Sequence, residues 1–256
     1  MSIAAVARLE GPSTTERARP LRIAHVAPPL EAIPPSGYGG TERIVHELVA
    51  ELVRRGHEVT TFGSGDSEVP GRLIPTVPQA LRPLGFGGDP SAHIHETLRM
   101  LLAQAAEFDV VHGHLEWFNP ILTAVSPVPS VATYHGRLDF PWAREILLRS
   151  SGRFVAISQS HAATHPMLDW AGIIHNGLTL RDMPFAEERS DALCFVGRIA
   201  PEKGVLDAIE IARQSGRTLR IAAKEGHMPH EVSYQEEVFR PALETAGSVD
   251  TLRKRP

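Results

Sequence analysis

A chain of 256 residues, 42% apolar and 22% charged with a net charge of −4, is long enough to bury most of its surface in one large domain or two small ones without disulfide or metal staples. That charge gives no general field for nucleic acid, and no apolar run reaches the ~18 residues a bilayer span needs. The single Cys194, inside an apolar run, excludes an intrachain disulfide framework and reads as a buried small hydrophobe in a reducing cytoplasm.

Residues 1–20 carry an apolar patch too short for a signal-peptide core, then Ser, Thr, Arg and Pro. They read as a mobile leader, although a misassigned start codon would look the same. From residue 21, β-rich runs alternate with helical patterns, the signature of an α/β fold with a parallel sheet under helices. The expected strands are 21–27, 58–63, 109–113, 130–136, 153–158 and 172–177, six in one domain ending near residue 180. The clearest helix is TERIVHELVAELVRRG, in which Ile44, Val45, Leu48, Val49, Leu52 and Val53 form one apolar stripe. Thr41 is expected to cap it, Glu42 to sit on its positive end, and Gly56 to take the left-handed stop.

A polar stretch over 181–190, with Asp182, Pro184, Glu187 and Glu188, reads as a linker. A second βα series follows over 191–256: a strand in DALCFVG, a helix over about 204–214, a strand in TLRIAAK and a helix around 230–239. Two strands make a narrow sheet whose edge needs cover. The final ETAGSVDTLRKRP has no apolar periodicity and is expected to fray.

Three constellations could carry chemistry. PPSGYGGTER brings Gly37, Gly39, Gly40 and Thr41 to a helix start, where close backbone approach and free N–H groups suit an anion or a sugar, and where a plain tight turn would use the same glycines. It is no dinucleotide fingerprint, since strand two ends without an acidic residue for a ribose. FVGRIAPEKG places Gly197, Arg198, Lys203 and Gly204 between a strand and a helix. Arg198 as a planar fork and Lys203 as a point charge would suit a diphosphate, and a solvated turn paired with Glu202 or Asp207 would read alike. His112 and His114 share a strand face and could begin a metal site, yet no cysteine or carboxylate cluster lies nearby in sequence to complete one. His135, at a strand's carboxyl end, stands where open α/β sheets bind ligands.

In their order along the chain these stretches resemble the retaining family 4 glycosyltransferases of GT-B fold, from Leu21 to about Leu243. Gly37-Tyr38-Gly39-Gly40-Thr41-Glu42 resembles the family's acceptor-side glycine loop, and Arg55-Gly56-His57-Glu58-Val59 the approach to its second strand. Asp109-Val110-Val111-His112 is similar to its D-[VI]-[VI]-H strand, and His135-Gly136 to the histidine that reaches the transferred sugar. Ala156-Ile157-Ser158 and Asn176-Gly177 resemble the segments that end the first domain, and Gly197-Arg198 through Lys203-Gly204 the turn that opens the donor domain.

The resemblance implies a complete Rossmann-like acceptor domain over 21–180 and part of a second Rossmann-like domain that binds a nucleoside diphosphate sugar. It implies transfer of a hexose to a hydroxyl acceptor, saccharide or lipid-linked, with retention and no required metal or other cofactor. His135, Arg198 and Lys203 would be the catalytic residues, and Gly197, Arg198, Lys203 and Gly204 the donor grip. Lys224 would either approach the same cleft or remain solvated. The family's glutamate pair, eight apart in a glycine- and proline-rich loop, has no counterpart here. Glu236 and Glu244 have that spacing, yet no strand or glycine loop precedes them. Weak or absent transfer is therefore expected of a truncated chain, with a non-catalytic nucleotide-sugar-binding remnant and a metal hydrolase using His112 and His114 as the other readings.

Overall fold

The structure, a computed structural model, describes residues 19–180, 183–188, 190–224, 229–247 and 249–252. Most of the expected leader and part of the expected linker lie outside the described residues. The chain divides into two compact units, Met1–Leu180 and Arg181–Pro256.

The first unit is built on an all-parallel sheet of seven strands: β1 (Arg22–Val26), β2 (Glu58–Ser64), β3 (Arg72–Val77), β4 (Val110–Gly113), β5 (Ser130–Thr133), β6 (Phe154–Ala156) and β7 (Trp170–Ile173). The order is β3-β2-β1-β4-β5-β6-β7. The chain works outward from β1 and then restarts on its other side. The carboxyl ends of β1 and β4 therefore form a topological switch point, where open α/β sheets hold ligands.

β3 corrects the expected count of six. Pro75 hid it, because a proline cannot donate to a ladder and argues against a strand. Here β3 is the sheet's edge, where that loss is tolerated, and its register with β2 shifts at Gly63 and Ser64.

Helices α1 (Gly40–Arg54), α2 (Ser91–Leu102), α3 (Asn119–Val125), α4 (Ala143–Leu148) and α5 (Gln159–Ala163) connect the strands. On α1, Val45 and Val49 are fully buried beside Ala27, Ile33 and Val59, with Leu52 and Val53 packed alongside. Ile44 and Leu48 stay half-buried, so the apolar stripe is narrower than the spacing suggested. Thr41 does not cap this helix. Gly39 stands at the N-cap with φ 153° and no side-chain cap. Its carbonyl accepts from the Arg43 N–H at 3.1 Å, and a Cβ on it would lie 2.7 Å from Pro35, so the turn needs glycine. The far end follows expectation: Gly56, at φ 92°, donates to Val53 at 2.9 Å while His57 donates to Leu52 at 3.1 Å.

Phe62, Leu101 and Leu122 are fully buried in the main core, each contributing about 2–3 kcal/mol gross.

The second unit has three parallel strands, β8 (Leu193–Arg198), β9 (Leu219–Lys224) and β10 (Val249–Leu252), in the order β10-β9-β8. Helix α6 (Val205–Ser215) follows β8. Helix α7 (Pro229–Tyr234), a π turn at Gln235–Phe239 and α8 (Arg240–Glu244) follow β9. The π turn precedes Pro241, whose missing N–H an unbroken helical ladder would have needed.

Two expectations fail in this unit. The tail does not fray at 249–252: buried Ala246 and partly buried Val249 join the core and lead the chain onto β9. A four-residue strand with two apolar residues is too short to show a period. Cys194 is exposed rather than buried. Leu193 and Phe195 pair with Leu219 and Ile221 on the face that α6 and α8 cover, so Cys194 and Val196 point the other way, and Val196 is 78% exposed.

Among the described residues, no helix is long and apolar enough to cross a membrane. One packing prediction concerns β4. A Cβ on Gly113 would stand 2.4 Å from Leu122 Cδ2 and 3.0 Å from Asn119 Oδ1. Gly113→Ala is expected to cost about 1–3 kcal/mol through overpacking, a fall of roughly 3–10 °C in Tm, read by thermal unfolding.

Candidate functional site

The switch point collects histidines. His25 of β1 is the register partner of His112 of β4. Alternation brings His114 to the same face, its ring centroid 4.2 Å from that of His112. His25 Nδ1 lies 3.1 Å from His114 Nε2, and His114 Nδ1 lies 2.9 Å from His135 Nε2. His112 Nε2 lies 2.8 Å from Thr133 Oγ1. Burial pushes the pKa of His112 and of His135 down to about 4 and holds His25 and His114 well below the usual imidazole range. The cluster is neutral at pH 7.

The strand expected over 130–136 stops at Thr133, which leaves His135 just beyond its carboxyl end. The cause is Glu116, whose carboxylate accepts the N–H of His135 at 3.2 Å and of Gly136 at 3.0 Å. These bonds replace the ladder and turn the chain out at the sheet's carboxyl end. Glu116 has φ 49°, a backbone conformation uncommon outside glycine and frequent at functional sites. Burial raises its pKa, opposed by the N–H groups of Gly136 and His135. His161 closes the turn from the other side, with Nε2 3.0 Å from the Gly136 carbonyl.

Sequence reasoning missed both His25 and Glu116. The parallel D-V-V-H and R-I-A-H runs could have pointed to His25 once β1 and β4 were known to be neighbours, whereas nothing local marks Glu116. The metal reading, drawn for His112 and His114 alone, gains His25: among the described residues the nitrogens of these three lie within 4.8 Å of one another. Zn–N bonds of ~2.0–2.1 Å keep two ligands of one ion within ~4.2 Å, and the His25–His114 contact has hydrogen-bond length.

The glycine loop is pinned by Arg43, whose Nη2 donates to the carbonyls of Pro35 at 3.3 Å and Gly37 at 3.2 Å. Gly37 and Gly40 are exposed, Gly39 is buried and Thr41 lies in the first turn of α1. Glu42 is only 4% exposed, and burial lifts its pKa to about 7, with the charges of Glu31 and Glu116 adding to the rise and Arg82 opposing it. The loop and the His135 turn therefore share one electrostatic environment.

In the second unit Arg198 ends β8 beside its register partner Lys224. Its guanidinium donates to Glu202 at 2.7 Å and is ion-paired with Glu231. Of the acidic partners the sequence suggested, Glu202 is the one engaged. A 3-10 turn at Pro201–Lys203 leaves Lys203 exposed, and Gly204, at φ 71°, starts α6. Gly197, Arg198, Lys203 and Gly204 thus surround one strand-to-helix turn, and His135 belongs to the other unit.

Solved structures share the overall fold. AviGT4, a glycosyltransferase involved in avilamycin A biosynthesis, is similar with a TM-score of 0.60 and 24% identity, over 91% of this chain and 63% of its own. The catalytic domain of starch synthase IV from Arabidopsis thaliana is similar with a TM-score of 0.60 and 15% identity, over 93% and 75%. The fold is accordingly that of the GT-B glycosyltransferases, a Rossmann-like parallel-sheet unit followed by a smaller Rossmann-like one.

The profile of Glycosyltransferase Family 4 matches residues 38–179, more than half of the chain, and the chain belongs to that family. The glycogen synthases of two Mycobacterium tuberculosis strains, CDC 1551 and H37Rv, are 28% identical over 235 residues, 72% of this chain. The chain spans 56% of the length of these relatives.

Glu42 yields a pH prediction. A carboxyl held near pH 7 in the fold ionises earlier in the unfolded chain, so stability falls as pH rises from about 4.5 to about 7. Glu42→Gln removes that penalty. Urea unfolding at pH 4 should find variant and protein nearly equal, and at pH 8 the variant more stable by about 3 kcal/mol.

Proposed function

We propose that the protein transfers a hexose from a nucleoside diphosphate sugar to a hydroxyl acceptor with retention of anomeric configuration. The carrying observation is the turn from Gly197 to Gly204, which sets Arg198 at the end of β8 and Lys203 just before the start of α6. Arg198 is the fork for two phosphate oxygens and Lys203 the point charge that neutralises the diphosphate as it leaves. Their charge develops its full worth as the glycosidic bond breaks and negative charge gathers on the leaving group. That electrostatic role is the one a divalent metal would otherwise fill, and the proposed reaction requires none. Glu202 and Glu231, which hold Arg198, orient the guanidinium and must yield part of it to the phosphate.

On the acceptor side, the exposed backbone of Gly37 and Gly40 admits a sugar hydroxyl close to the start of α1. His135 meets the transferred hexose. The name of the mycobacterial relatives, glycogen synthase, supports a hexosyl donor and a saccharide acceptor. A cytoplasmic setting suits the exposed thiol of Cys194, which a reducing compartment keeps free.

The reading is tested by incubating the protein with UDP-, GDP- and ADP-glucose and a maltooligosaccharide, and following nucleotide release and the anomeric signal of the product. Slow turnover of one donor with an α-linked product is expected, in line with the weak transfer expected of this 256-residue chain. Arg198→Ala should lower kcat/KM by about 10²–10³ and Lys203→Ala by a similar factor. Turnover of none of the donors, or unchanged turnover by both variants, would contradict it.

A further inference from the structure

The segment that leads from β5 to α4 carries an aromatic cluster to which the proposed reaction gives no task. Its backbone is fixed along its length. Leu138 and Ala143 are buried in the core with Tyr134 and Phe154. His161 Nε2 lies 3.0 Å from the Gly136 carbonyl, His165 Nε2 lies 2.6 Å from the Leu138 carbonyl, and the Ala143 N–H donates to the Phe140 carbonyl at 3.0 Å. Anchored in this way, the segment holds two large aromatic side chains in solvent, Phe140 at 36% exposure and Trp142 at 48%.

The rings of Phe140 and Trp142 stack 8° from parallel with centroids 5.2 Å apart. Trp117, from the 3-10 turn at Glu116–Phe118, meets Trp142 edge to face at 4.5 Å and stands 5.9 Å from Tyr134, which ties the pair to the core. Arg137 lies over the Phe140 ring at 5.6 Å, and its guanidinium donates to both carboxylate oxygens of Asp139 at 2.8 Å. A rigid aromatic ledge thus stands beside a planar polar pair, in the segment that begins at the His135 turn.

This combination matches a pyranose. The faces of a sugar ring carry C–H groups, which suit the negative face of an aromatic ring. Its rim carries hydroxyls, which a guanidinium and a carboxylate can serve as donor and acceptor. An anionic lipid surface is the poorer match, because residues 137–149 hold three arginines against Asp139 and Glu145, a net charge of +1. Arg137 is paired with Asp139 and Arg149 with Glu145, so little field is left to attract phosphates.

We propose that Phe140 and Trp142 form a subsite of the acceptor, on which a pyranose ring of a neutral saccharide stacks while Arg137 and Asp139 bond its hydroxyls. The inference rests on the proposed function and narrows its acceptor from any hydroxyl compound to a saccharide. No bond is made or broken at the ledge, so its contribution is to binding.

The test titrates the full chain, without donor, with maltopentaose, cellopentaose and xylopentaose, followed by saturation-transfer NMR of the sugar C–H signals and by tryptophan fluorescence. Saturation transfer to at least one saccharide and a saturable fluorescence change are expected. Trp142→Ala should weaken that binding about tenfold, the upper end of what aromatic stacking is worth, and Trp142→Phe, which keeps a flat ring, should restore most of it. Leu148→Ala, exposed at the far end of α4, should change nothing. In the transfer assay Trp142→Ala should raise the KM for the acceptor about tenfold with kcat little altered. Saturation transfer to none of the saccharides, or binding that Trp142→Ala leaves intact, overturns the subsite. Binding to phosphatidylglycerol vesicles that Trp142→Ala abolishes, with no saccharide bound, overturns it in favour of a membrane surface. Saccharide binding that Trp142→Ala removes, with no transfer from any donor, upholds the subsite and overturns the proposed reaction.

Discussion

Desolvation at the carboxyl ends of β1 and β4 is the constraint on which the chemistry of the first unit depends. A parallel sheet buried on both faces can place side chains there only if their polar atoms are bonded or their charge is removed. The histidines take both courses: they lose the proton and bond to one another. The two carboxyls nearby respond with raised pKa values, Glu42 at the start of α1 and Glu116 under the His135 turn. One dry region thus holds neutral imidazoles beside carboxyls whose pKa values are raised. The acid side costs stability as pH rises toward 7, through Glu42. The imidazole side costs stability as pH falls from about 6.5 toward 4, where the unfolded chain binds protons that His112 and His135 refuse.

The second unit solves the opposite problem. Arg198 cannot shed its charge, so the fold supplies Glu202 and Glu231 as partners and stations Lys224 across the ladder. The ion pairs orient a guanidinium at the end of β8, which the proposed function would have partly given up to a phosphate. The cost is competition, since the carboxylates that orient it also dilute its field. The first unit thus gathers neutral hydrogen-bonding groups and the second a paired cation; only the proposed function assigns the one to a sugar and the other to a diphosphate.

Much of this was legible in the sequence because it is written locally. β1, β2, β4 and β6 are short β-branched runs between turn residues, and α1 has a stripe and a glycine stop. The glycine loop and the Arg198 turn also lie within ten residues each. What escaped was either too short or too distant. β10 has four residues, and β3 carries a proline that only an edge strand accepts. Thr41 looked like a cap because the glycine that caps α1 has no side chain to announce it. Cys194 looked buried because an apolar run does not say which of its faces is covered. His25 and Glu116 act on partners 89 and 19 residues away, and only the order of the strands brings them together.

The central claim is that the Arg198 turn holds the diphosphate of a nucleotide sugar. It is tested most directly by 31P NMR of UDP, GDP and ADP titrated separately with the protein. The account predicts that the α- and β-phosphorus signals of one nucleotide shift and saturate, and that Arg198→Ala and Lys203→Ala abolish the effect. Unmoved signals for all three nucleotides, or saturation that survives both substitutions, would contradict it.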